Sequence, residues 1–203
     1  TTMLNSEEAM IGMFSEPDYI HNMTDKITQS IIELNRHLEK VITNFGGFQC
    51  AWYLPFGMHI SDDNAAFLSP DTYKEFSKPY NEKLAEEFGG IAYHCCMGQE
   101  QNIENMAETK GFIGLDTMPD YNDPDKVINA LDGRKGVWNI YNYAYAIRQE
   151  KHEGISDVDW FKKLIDKVDG RFGLLLNVYN PNREEALKNA DIIKNYAEKK
   201  LYT

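Results

Sequence analysis

Cysteine is scarce in this 203-residue chain: only Cys50, Cys95 and Cys96 are present. An odd, sparse count with one adjacent pair is no disulfide framework, and it fits a reducing cytoplasm. Long hydrophobic runs are missing too, and nothing approaches the roughly 20 apolar residues that a bilayer-spanning helix needs. Basic residues are in deficit, with 21 Lys and Arg against 32 Asp and Glu, for a net charge of −11. That balance argues against nucleic acid or an anionic membrane as the main partner. No Gly-x-Gly-x-x-Gly follows any candidate strand and there is no P-loop, so a nucleotide-binding sheet gains no support. No secretory leader is visible. The start at Thr1-Thr2-Met3 reads as the middle of something longer.

What remains is an ordinary globular composition, 42% hydrophobic and 26% charged, enough for one sizeable core and one domain. Ile20, Met23, Ile27, Ile31, Leu34, Leu38 and Val41 recur at spacings of three and four, the stripe of a long helix. Pro17 sits at its first turn, Gly46-Gly47 stops it, and residues 5–15 suit a short helix before it. The chain then alternates. Apolar runs at Phe48–Leu54, Ile91–Cys95, Phe112–Asp116, Gly136–Tyr141 and Phe172–Val178 read as five strands. Between them lie helices: Ser69 to about Phe88, Gln99–Lys110, Pro124–Leu131 and Ser156–Val168, with a last one capped by Asn182. Strands alternating with helices predict an α/β fold of parallel (β/α) units, either an open doubly wound sheet or part of a TIM-type barrel.

The densest chemistry lies in Tyr93-His94-Cys95-Cys96-Met97-Gly98. Side chains on a strand alternate, so His94 and Cys96 fall on one face. An imidazole and a sulfur at that spacing make half of a zinc site. A buried core cysteine beside an incidental histidine is the competing reading. Cys95 is expected to face the other way, toward the helices.

Ile60-Ser61-Asp62-Asp63, Leu68-Ser69-Pro70 through Lys78-Pro79-Tyr80, and Tyr93–Gly98 occur in this order. Together they resemble the uroporphyrinogen decarboxylase-like superfamily. Gly114-Leu115-Asp116 and Asp132-Gly133-Arg134-Lys135 are similar as well. The resemblance implies a (β/α)8 barrel, of which residues 1–203 would form one domain holding the last five strands without the N-terminal ones. A homo-oligomer, or a second chain that completes the barrel, is then expected.

The superfamily holds decarboxylases and methyltransferases. The methyltransferase branch implies zinc on the His-x-Cys pair, here His94 and Cys96, and a methyl-corrinoid carried by a partner protein. Its third ligand, a Cys near the end of the last strand, has no match in Leu176-Asn177-Val178-Tyr179-Asn180. Candidates for that place are Asp62, Asp63, Asp116, His59 and Cys95. Asp62, Asp63 and Asp116 are the candidate catalytic carboxylates. Asn139, Tyr141 and Asn142 suit the mouth as substrate contacts, and Asn177 suits a substrate carboxylate or amide. The decarboxylases' His near the last strand is absent, and Trp138-Asn139-Ile140-Tyr141-Asn142 replaces their Gly-Asn-Leu-Asp-Pro turn. The expectation is therefore zinc-assisted methyl transfer from a corrinoid to a thiol or similar acceptor. The alternatives are a cofactor-free decarboxylase of a tetrapyrrole or small carboxylic acid, and a non-catalytic or truncated barrel subunit.

Overall fold

The computed structural model describes residues 6–42, 48–49, 52–53, 56–119, 121–141, 154–178, 180 and 182–201. Helix α1 (Ser6–Ser15) and the long α2 (Pro17–Val41) come first. A two-stranded antiparallel ribbon follows, β1 (Phe48–Gln49) against β2 (Trp52–Tyr53). The remaining strands, β3 (Met58–Ser61), β4 (Ile91–Cys95), β5 (Phe112–Thr117), β6 (Val137–Tyr141) and β7 (Gly173–Asn177), form one parallel sheet in chain order.

Helices follow each strand. After β3 come a 3-10 turn (Asp63–Ala66), α3 (Pro70–Phe76) and α4 (Lys78–Phe88). A second 3-10 turn (Glu100–Asn102) and α5 (Ile103–Ala107) follow β4. Helices α6 (Pro124–Leu131), α7 (Asp157–Val168) and α8 (Arg183–Leu201) follow β5, β6 and β7. Their starts obey capping chemistry. Ser69 Oγ accepts the Thr72 N–H at 3.2 Å, Ser156 Oγ accepts that of Asp159 at 3.1 Å, and Asn182 Oδ1 accepts that of Glu184 at 2.9 Å.

Three expectations need correction. The apolar run at Phe48–Leu54 does not enter the sheet; its described parts form the small ribbon, and Met58–Ser61 takes the first place. That strand is short and amphipathic, with Met58 and Ile60 packed on the core and His59 and Ser61 on the other face, so no apolar run announces it. The helix expected over Ser69–Phe88 breaks at Ser77, because Pro79 lacks the N–H and crowds the carbonyl four residues back. The helix expected over Gln99–Lys110 is a 3-10 turn and five α-helical residues.

The core lies between sheet and helices. Ile91, Tyr93, Leu115, Trp138 and Ile140 pack under Leu84, Met106, Val127, Leu131, Phe161 and Leu164. Each such side chain contributes roughly 1.5–3 kcal/mol on burial. An exposed ion pair such as Lys167–Asp125 at 2.6 Å contributes at most about 1 kcal/mol. Packing therefore holds the unit together.

The sheet ends on β3 and β7, each paired on one side only among the described residues. Apolar surface is left open nearby in the chain's first helices: Phe14 is 79% exposed, Leu34 58% and Val41 63%. Leu34 and Val41 of the α2 stripe thus lie off the core, while Ile31 packs on it. No helix among the described residues is long and apolar enough to cross a membrane. Two sheet edges and an apolar helix face favour association. Light scattering is expected to give a mass of at least about two chains, and a monodisperse monomer at micromolar concentration would contradict this.

Candidate functional site

The register of the sheet builds the site. Ser61 pairs with His94, His94 with Asp116, and Asp116 with Asn139, so four neighbouring strands place a polar residue at one level. Register partners share a face, and this face is opposite the helices. One level lower the row runs His59, Ala92, Gly114 and Val137, small and apolar apart from His59. Cys96 follows the end of β4, two residues beyond His94, and Asp63 opens the 3-10 turn after β3. Both stand at the C-terminal edge of the strands.

His94 is held from behind. Its Nδ1 lies 2.9 Å from Asp116 Oδ2, and the Asp116 side chain is fully buried. The Asp116 hydrogen bond raises the His94 pKa, against the burial that would lower it. His59 lies beside it, ring centroids 6.1 Å apart. Burial, with His94 as a second cause, pushes His59 down to about 4.

In front of His94 stand Cys96 and Asp63. The Cys96 N–H donates to Asp63 Oδ1 at 3.1 Å, and its thiol reaches the same oxygen at 3.4 Å. Ser61 Oγ donates to Asp63 Oδ2 at 2.8 Å. Burial works against the Asp63 carboxylate, but these donors hold its pKa below the ordinary value. Burial and Asp63 push the Cys96 thiol up, so a cation is what would ionise it.

Two sets of donor atoms lie within 4.8 Å of one another: Asp63, His94 and Cys96, and His59, His94 and Asp116. The second set is already joined by the His94–Asp116 hydrogen bond. The first offers nitrogen, sulfur and oxygen at the edge of the site, a donor set that suits zinc with one position left open.

The other expected residues separate. Asp62 points the opposite way from Asp63. Its Oδ2 accepts the Tyr73 hydroxyl at 2.8 Å and the Asn81 amide at 3.2 Å, on α3 and α4. Adjacent residues at a strand end cannot both face inward, so Asp62 is not part of the His94 cluster. Cys95 is fully buried on the helix side, its thiol pushed up to about 12 by burial. Asn139 is fully buried, and Asn177 Nδ2 donates to its Oδ1 at 2.6 Å. Tyr141 pairs with Asn177 in the ladder, but its side chain lies outside the described residues, as do Cys50, Asn142 and Tyr179. Ser61 and the Tyr73–Asn81 pair were not anticipated. The alternation in Met58-His59-Ile60-Ser61 was the signal available for Ser61.

The family model for uroporphyrinogen decarboxylase (URO-D) matches residues 1–134. The chain belongs to the uroporphyrinogen decarboxylase family. No curated protein matches it. Among solved structures, this family member is similar to a methyltransferase from Methanosarcina mazei, with a TM-score of 0.62 at 15% identity. The match covers 97% of this chain and 54% of that one, so the chain spans about half the length of its structural relative. At that identity the likeness shows the fold: five parallel strands of a TIM-barrel-type (β/α) architecture.

His59 gives a pH test. Its folded pKa is depressed, so between about 6.5 and about 4 the unfolded chain binds the extra proton. Its contribution is present above that window and is lost as pH falls through it. The metal-free His59→Asn variant is expected to lose less stability than the parent between pH 6.5 and 4 in urea titrations. Parallel curves for the two proteins would contradict the burial argument.

Proposed function

We propose that this chain carries the metal-binding part of a methyltransferase, moving a methyl group from a corrinoid on a partner protein to a thiol or similar acceptor. His94, Cys96 and Asp63 hold zinc, and Asp63 takes the place for which no cysteine is available. The observation that carries this reading is the convergence of these three donors within 4.8 Å, with Asp116 behind His94. The likeness to a solved methyltransferase supports it.

Zinc bound there would keep an incoming thiol ionised at neutral pH. The chain's own residues do the rest. Asp116 holds the proton on His94 Nδ1, which orients the ring and commits Nε2 to the metal. Ser61 and the Cys96 N–H fix the two oxygens of Asp63. Asn139 Nδ2 is buried with no partner among the described residues, while its Oδ1 is taken by Asn177. Such a donor calls for an acceptor. We assign Asn139 and Asn177, with Tyr141 on the same ladder, to a carbonyl or carboxylate of the substrate. The free thiols of Cys95 and Cys96 suit a reducing cytoplasm.

The family match favours a second reading, a cofactor-free decarboxylase of a tetrapyrrole or small carboxylic acid. Asp63 would then be its acidic group, since Asp62 faces the helices. A third reading, a non-catalytic or truncated barrel subunit, rests on the absence of a cysteine in Leu176-Asn177-Val178-Tyr179-Asn180.

Metal analysis tests the first reading against the other two. Protein purified without added metal is expected to carry about one zinc per chain. His94→Ala and Cys96→Ala should abolish it, and Asp116→Ala should weaken it roughly 10–100-fold. A folded protein that takes up no zinc, even when the metal is offered, would overturn the proposal.

A further inference from the structure

Asp62 leaves the metal cluster for a different cavity. Helices α1 and α2 and the segment Asp62–Ser77 border a half-open cavity of about 240 Å³, lined by Met10, Met13, Met23, Ile20, Phe76 and Asp62 among others. The wall is mainly apolar, with Ser6, Thr24, Asn64 and Ser77 as its neutral polar members, and its carboxylate has neutral partners only. Tyr73 and Asn81 donate to Oδ2, and among the described residues no Lys, Arg or His lies within ion-pair distance. A carboxylate set in largely apolar walls without a cation nearby either takes up a proton or takes up a cation. Burial already pushes its pKa up.

Thioethers add a second indication. Three methionines on α1 and α2 meet at the cavity, and methionine supplies a soft, adaptable wall with favourable contacts to aromatic rings. A cavity of roughly 150 Å³ can hold benzene, so this one has room for about nine or ten non-hydrogen atoms.

We propose that this cavity is a second binding site, separate from the metal cluster, for a small apolar amine. The ammonium group sits on Asp62, and the hydrocarbon body, best aromatic, lies against Met10, Met13, Met23 and Phe76. Nothing in this proposal depends on zinc or on methyl transfer.

The test uses the full chain labelled with 13C at the methionine methyls. 2-Phenylethylamine is titrated in at about 0.15 M salt, where surface attraction to an acidic protein is screened. Saturable shifts are expected at Met10, Met13 and Met23 and not at Met97 or Met118. 2-Phenylethanol, which lacks the charge, should bind at least tenfold more weakly. Asp62→Asn keeps an acceptor for Tyr73 and Asn81, and is expected to weaken the amine at least tenfold. Ala9→Phe, which fills the cavity from α1, should abolish binding in a folded protein. Cys96→Ser should leave it unchanged. The absence of saturable shifts would overturn the proposal. So would equal affinity for amine and alcohol, or full retention of binding in Asp62→Asn, which would leave Asp62 as a structural tie between α3 and α4.

Discussion

A carboxylate can remain fully buried only where polar hydrogens face it, and Asp116 meets that condition through the His94 ring. The rest of the site follows from that bond. It fixes one nitrogen of an imidazole that has Cys96 and Asp63 within 4.8 Å. Remove the carboxylate and the ring loses both its orientation and its tautomer. The bond itself exists because parallel register sets β4 beside β5 with His94 opposite Asp116.

The sheet therefore serves two purposes on its two faces. Toward the helices it is a hydrocarbon surface of Ile91, Tyr93, Leu115, Trp138 and Ile140, which supplies cohesion. On the other side it is small and apolar at the bottom apart from His59, and polar at the top, from Ser61 through His94 and Asp116 to Asn139. The backbone ladders hold His94 and Asp116 in place, and Ser61 Oγ and the Cys96 N–H tie Asp63 to the ends of β3 and β4. The amide pair of Asn139 and Asn177 extends the polar row to β7.

Much of this architecture was legible in the residues. The caps at Ser69, Ser156 and Asn182 act where their side chains predict. The apolar runs at β4 through β7 are the strands they resemble, because strands covered by helices carry enough hydrocarbon to be seen. Met58–Ser61 was not legible, because half of a four-residue strand faces the polar mouth, and the apolar run at Phe48–Leu54 drew attention away from it. His94 and Cys96 could be placed on one face from their spacing alone. Asp62 and Asp63 could not be sorted, because which of them faces inward depends on where β3 ends, and that strand was hidden. The tie from Asp62 to Tyr73 and Asn81 spans 11 and 19 residues and leaves no local trace.

Zinc K-edge absorption of the metal-loaded chain tests the central claim most directly. A single sulfur at about 2.3 Å beside nitrogen and oxygen ligands near 2.0–2.1 Å is the result this account predicts. Cys96→Ser should remove that sulfur shell, and Asp63→Ala should remove one light ligand. A spectrum with two sulfurs would bring Cys95 out of the core, and one with none would leave Cys96 outside the metal's reach; either would contradict the account.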